Sequence, residues 1–239
     1  MKKIFFALFV FSIFFCMKCH AEVTPFLTEG EISTGASFLP LPPKPMDASF
    51  YNDWQRYQWG KTMRNTERGK QAVEDAKHSL EYFSKIYSEP FGVIISQERT
   101  PEIYTLLERL LATTYVCKDL AKERVMRMRP FVQFNEPTPI PEDEEKLRTN
   151  SSYPSGHTTM GWGIALVLAE INPERQDEIL KRGFEYGESR VIVGFHFQSD
   201  VNDARIITSA LVNRLHANED FMQHLKRAKE EFLRNKAQN

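Results

Sequence analysis

Along most of the chain, apolar residues recur at spacings of three and four, the period of a helix that buries one stripe. Phe50 to Trp59 is dense in aromatic rings and predicts a helix ended by Gly60. Val73, Ala76, Leu80, Phe83 and Tyr87 predict one helix from Glu67 to Tyr87, closed by Pro90. Thr100-Pro101-Glu102 reads as a helix start, with a capping threonine, a proline at the first position and an acid in the first turn. Its stripe of Ile103, Leu106, Leu110, Thr114, Cys117, Ala121 and Val125 carries that helix as far as Pro130. Residues 131–153 hold three more prolines and an acidic run, Glu142 to Glu145, and read as a loop with a solvated or helix-starting acidic patch. A second long apolar run starts at Thr158 and is preceded by Pro154-Ser155-Gly156, which places Ser155 where an N-cap belongs. Further helices are predicted from Asn172-Pro173-Glu174, from Asp200 through Leu215, and over the charged tail from Glu219, with an apolar piece, Val191 to Phe195, between the first two. The elements assigned by this period are helices, and residues 47–239 read as one domain.

Ahead of it, residues 22–46 end in Leu39-Pro-Leu-Pro-Pro-Lys-Pro45, which cannot be helical and suits an extended strap lying over the domain. Lys2 and Lys3, an uncharged run from Ile4 to Phe15, and a polar segment after Ala21 make residues 1–21 a secretory signal, too short to anchor in a bilayer. Its removal takes Lys2, Lys3 and Lys18, leaving 28 basic against 32 acidic side chains and a net charge of −4. That charge gives no broad basic field for a nucleic acid polymer, and the mature chain holds no second apolar stretch long enough to span a membrane. Of three cysteines only Cys117 remains, within an apolar stripe, so it reads as a buried small hydrophobe and no internal disulfide can form.

Candidate chemistry is concentrated in three stretches. Lys122 and Arg129 are seven apart and, on one continuous helix, share a face two turns apart. Arg124 and Arg127 lie off that face and read as a solvated basic edge. In the central loop, Ser155, Gly156 and His157 bring first-turn amides and an imidazole to a helix N-terminus, a natural site for an oxyanion. Arg190, His196 and Asp200 follow. Three cations and helix amides suit the equatorial oxygens of a phosphoryl group in transfer, and two imidazoles suit its axial positions, one to attack and one to protonate. Asp200, four after His196, is placed to accept the Nδ1 hydrogen and fix the tautomer.

Lys122-x6-Arg129-Pro130, Pro154-Ser-Gly-His157 and Ser189-Arg190-x5-His196-x3-Asp200 together resemble the three-part signature of the PAP2 phosphatase and vanadium haloperoxidase superfamily. With the leader and the Leu-Pro-Leu-Pro-Pro strap, the chain resembles the bacterial class A nonspecific acid phosphatases over essentially all of its mature length. The resemblance implies an all-α fold, one compact helical domain over 47–239, in a periplasmic homodimer that hydrolyses phosphomonoesters with no metal and no cofactor. It assigns His196 as nucleophile, His157 as general acid and Asp200 as orienter, with Lys122, Arg129, Ser155, Gly156 and Arg190 as phosphate ligands. An apyrase acting on nucleoside tri- and diphosphates is the alternative, and Ala169-Glu-Ile-Asn-Pro173 resembles those members. A vanadate-dependent haloperoxidase and a non-catalytic anion-binding module are the remaining readings. Two departures stand out: Thr138-Pro-Ile-Pro141 and Val193 lie where many members carry a bridging pair of cysteines, and Phe195-His196-Phe197 replaces Ala-His-Trp, which suggests a reshaped substrate pocket.

Overall fold

A computed structural model describes residues 23–237, so the leader lies outside the described residues. They form ten α-helices and two 3-10 turns, with no strand among them: α1 (Ala48–Met63), α2 (Glu67–Glu74), α3 (Leu80–Phe91), α4 (Pro101–Lys122), α5 (Pro130–Gln133), α6 (Pro141–Arg148), α7 (Gly156–Ile171), α8 (Gln176–Ile192), α9 (Gln198–Leu215) and α10 (Glu219–Lys236). The all-α expectation holds.

The core forms around α7, which is buried nearly all round and packs against α4, α8 and α9. Glycines let α7 and α8 approach closely. A Cβ on Gly161 would meet the Tyr186 ring at 2.3 Å, and one on Gly183 would meet the Ala165 Cβ at 2.5 Å. The amphipathic α10 lays Phe221, Leu225, Ala228 and Phe232 into the core and packs on α4.

Four predicted boundaries move. Gly60 does not end α1 but sits inside it, where an added Cβ would stand 2.8 Å from the Val191 carbonyl, so it serves the contact with α8. The 67–87 stretch is two helices, because Asp75 leaves the helical register to bind side chains distant in sequence. Pro90 lies within α3, which ends at Gly92 with φ of 83°, a left-handed cap open to glycine. The long helix stops at Lys122. Beyond it the backbone turns to the 151–152 segment, with the Ser152 amide donating to the Arg127 carbonyl (2.9 Å) and the Ser151 hydroxyl to that of Val125 (2.9 Å). Pro130 in turn holds Arg129 extended. The expected 131–153 loop contains α5 and α6, the latter begun by the acidic run.

Thr100 holds the N-cap position of α4, but its side chain does not cap the helix. Its hydroxyl binds the Ser96 carbonyl, while the buried Glu231 carboxylate of α10 accepts from the Glu102 and Ile103 amides at 3.2 and 2.9 Å. In residues 23–46, Phe26, Leu27, Ile32 and Leu39 are buried, and the carbonyls of Leu39, Pro40 and Pro43 accept from Arg124, Tyr153 and Arg127.

Candidate active site

A cavity of about 220 Å³ opens where the end of α4, the start of α7 and the end of α8 meet. Lys122, Arg129, Gly156, His157, Arg190 and His196 all line it. Lys122 and Arg129 reach it from different segments rather than from one helical face. Ser155 and Asp200 stand behind the wall. The Ser155 hydroxyl caps α7 by accepting from the Thr158 amide and hydroxyl, as its N-cap position requires. This start of α7 leaves the Gly156 and His157 amides without intrahelical acceptors and turned to the cavity end.

Among the described residues, no carboxylate pairs with Lys122, Arg129 or Arg190. Arg190 is 1% exposed; among the described residues its guanidinium makes one hydrogen bond, to the Asp75 carbonyl at 3.3 Å, its Nε has no partner, and it lies 5.2 Å over the Phe195 ring. Arg129 donates to the carbonyls of Leu147, Asn150, Ser151 and Phe195, and Lys122 to that of Ser151. Burial, then the charge of Arg129, pulls the Lys122 ammonium down to about 7, and burial pulls Arg129 to about 10. Buried arginines bonded to carbonyls rather than carboxylates leave a site short of negative charge.

His196 sits at the α8–α9 junction. Its Nδ1 lies 2.7 Å from the Ser152 carbonyl and donates there, which leaves the Nε2 lone pair 3.0 Å from Arg129 Nη1 at the cavity. Asp200 Oδ2 is 3.7 Å from Nδ1, beyond hydrogen-bond range, and instead accepts from the Ser152 hydroxyl at 2.6 Å and the Phe197 amide at 2.8 Å. The tautomer is thus set by a backbone carbonyl, with Asp200 acting on the ring through charge. Burial, then Arg129, lowers His196 to about 3. His157 Nε2 lies 3.0 Å from the Ala76 carbonyl, and burial and then Arg190 hold its ring well below its usual range. Asp200 is fully buried, which raises its carboxyl, yet His196, Arg127 and Ser152 around it hold it well below the carboxylate range.

Arg127 contradicts the solvated-edge expectation. It is 7% exposed, bridges Asp53 (2.8 Å) and Asp200 (2.5 Å), donates to Ser199, and lies 4.2 Å over the Phe197 ring. Arg124 is half-buried against the strap. Phe195 and Phe197 are fully buried and pack on Phe131 and Phe50, so they shape the core and not the pocket.

Sequence reasoning missed several wall residues. Lys118, one turn before Lys122 on α4, had a readable signal in its i, i+4 spacing. His78 and Asn150 had none, because each arrives from a segment whose path is decided by distant contacts. Among the described residues, no three His, Cys, Asp or Glu side chains cluster as metal ligands, and no helix is long and apolar enough to cross a membrane.

The PAP2 superfamily model matches residues 104–218, which span every cavity residue of the three stretches. A non-specific acid phosphatase of Providencia stuartii is 45% identical over 87% of this chain and 85% of its own length. The chain belongs to the PAP2 superfamily. The non-specific acid phosphatase of Salmonella typhimurium is 42% identical over 88% of this chain and 84% of its own. An acid phosphatase of Zymomonas mobilis is 34% identical, covering 82% and 74%. Similarity of this extent takes in the helices that build the cavity and the strap that lies behind it, and it places this superfamily member among the non-specific acid phosphatases.

Proposed function

We propose that the protein is an exported acid phosphatase that hydrolyses phosphomonoesters through a phosphohistidine on His196, without a metal. The observation that carries this is the fully buried Arg190 with an unpartnered Nε, facing the same cavity as Arg129, Lys122 and two imidazoles. A tetrahedral phosphate ester supplies the negative charge those cations lack.

The chemistry follows from the atoms. His196 Nε2 carries the lone pair and attacks phosphorus, while Arg129, whose Nη1 lies 3.0 Å from that nitrogen, shifts its N–H groups to the phosphoryl oxygens. Arg190, Lys122 and the α7 amides take the remaining charge. The phosphorus–oxygen bond to the alcohol breaks, and the departing oxygen takes a proton from His157. Water then attacks the phosphohistidine with His157 as base, releasing phosphate. Because burial keeps both rings neutral, the proton enters with the substrate as the ester monoanion, whose second ionisation lies at about 6, and passes from the phosphoryl oxygen to His157 before it reaches the departing oxygen. The acid form of the substrate is therefore the productive one, and turnover should fall as the pH rises through the ester's second ionisation.

Replacing His196 with Ala removes the nucleophile and its proton path together. Hydrolysis of an aryl phosphate should fall by at least about a thousandfold while the fold is retained by circular dichroism. Near-normal turnover in that variant would refute the phosphohistidine. Export follows from residues 1–21, and assembly as a homodimer is part of the same proposal.

A further inference from the structure

Between α2 and α3 the chain makes a turn, Asp75 to Ser79, that brings His78 into the wall of the cavity. Its residues act in succession. The Asp75 carbonyl takes Arg190 Nη1, the Ala76 carbonyl takes His157 Nε2 at 3.0 Å, the Lys77 carbonyl takes the Tyr186 hydroxyl at 2.8 Å, and the His78 ring meets His157 edge-on at 4.9 Å. What holds this turn is the Asp75 side chain, which is fully buried. Oδ1 accepts from the Tyr82 hydroxyl at 2.7 Å and from Arg182 Nη2, and Oδ2 accepts from the Ser189 hydroxyl at 2.6 Å and from Arg182 Nη1 at 3.2 Å. One carboxylate thus ties the turn to α3 and to two points on α8.

The Ala76 carbonyl decides which atom of His157 can do chemistry. With Nε2–H committed to it, Nδ1 is the ring nitrogen left for the ester. We propose that Asp75 is a positioning residue for the leaving-group proton: by fixing the Ala76 carbonyl against His157 Nε2, it aims Nδ1–H at the departing oxygen. In the step concerned, Nδ1 has taken the proton of the ester monoanion; the bond from His196 Nε2 to phosphorus forms as the phosphorus–oxygen bond to the alcohol breaks, the departing oxygen takes that proton from Nδ1, and His157 returns to the neutral ring still donating from Nε2. This inference rests on the phosphohistidine reading, with His157 as its acid.

The test is a leaving-group series. Asp75→Asn keeps the shape but weakens the hold on Arg182 and the two hydroxyls. kcat/KM should be measured for alkyl, phenyl, nitrophenyl and dinitrophenyl phosphates, since it reports bond cleavage even where loss of phosphate from His196 limits kcat. Mis-aimed acid matters only where the oxygen leaves poorly. Asp75→Asn should lose about tenfold to a hundredfold on the alkyl ester and less than about threefold on the dinitrophenyl ester. Inhibition by inorganic phosphate should change by less than about threefold, because the cations remain. Tyr82→Phe, which removes one donor from Asp75 and touches nothing in the cavity, should steepen the same dependence more weakly. A uniform loss across the series in Asp75→Asn, or an unchanged dependence in both variants, overturns the proposal. If Asp75→Asn does not fold, the Tyr82→Phe series alone decides it. Failure of the wild-type protein to cleave any of the esters would instead overturn the phosphatase reading beneath it.

Discussion

Arg127 shows how far one residue's surroundings can depart from its local sequence. Set among Lys122, Arg124 and Arg129, it carries every sign of a solvated cation, yet it lies between two buried carboxylates, Asp53 of α1 and Asp200 of α9. The two acids come from helices nearly 150 residues apart in sequence and share the Ser199 hydroxyl between their networks, so the arginine sets their spacing. Removing it leaves two buried negative charges facing one another. Arg127→Met should destabilise the protein by about 3 to 5 kcal/mol in urea unfolding at neutral pH. A loss below about 1 kcal/mol would show that the pair is open to water. Nothing local to Arg127 reveals this, because its partners become neighbours only when α1 and α9 pack. Cys117 is the opposite case: its place in a helical apolar stripe already tells that it is buried, as it is.

At the scale of elements, close helix contacts position the chemistry. Arg190 lies on α8 and His157 on α7, and both enter the cavity because Gly161 admits the Tyr186 ring against the α7 backbone. Gly161→Ala would press a methyl group into that ring at 2.3 Å, so α7 and α8 must part or Tyr186 must turn. We expect a loss of about 1 to 3 kcal/mol in unfolding free energy from urea titration, with weaker inhibition by phosphate as the two walls separate. Unchanged stability would mean that the contact yields freely. Helix existence in these stretches is legible from period and composition, and α7, α8 and α9 lie where the apolar runs place them. Helix ends are less so. α4 stops at Lys122 and α2 at Glu74 because later segments, Ser151–Ser152 and Arg182–Ser189, claim the next residues by hydrogen bonds that no short window contains.

For the whole molecule, the site is a concentration of like charge taken out of water. Its linkage to pH has one sign. His196, at about 3 when folded and near about 6.5 when unfolded, binds fewer protons in the native state between those values, so stability rises with pH across that window. His157 acts in the same direction, and so does Asp200 below the carboxylate range. Lys122, at about 7, extends the same slope on the alkaline side. The empty protein should therefore show a urea midpoint that falls as pH is lowered from about 7 to about 4, with inorganic phosphate restoring part of the loss. A midpoint that rises on acidification would show that the rings are not buried neutral.

Read alone, the chain determines that it folds as helices, where the apolar faces lie, and which three short stretches carry cations, amides and imidazoles, because period, caps and side-chain type are local properties. Tertiary structure decides the rest. It turns Lys122 and Arg129 onto one cavity from separate segments, gives the His196 tautomer to a backbone carbonyl, buries Arg127, and brings the Asp75 turn against His157. Each depends on which distant group is nearest, and in a low-dielectric interior the nearest partner determines charge, tautomer and aim.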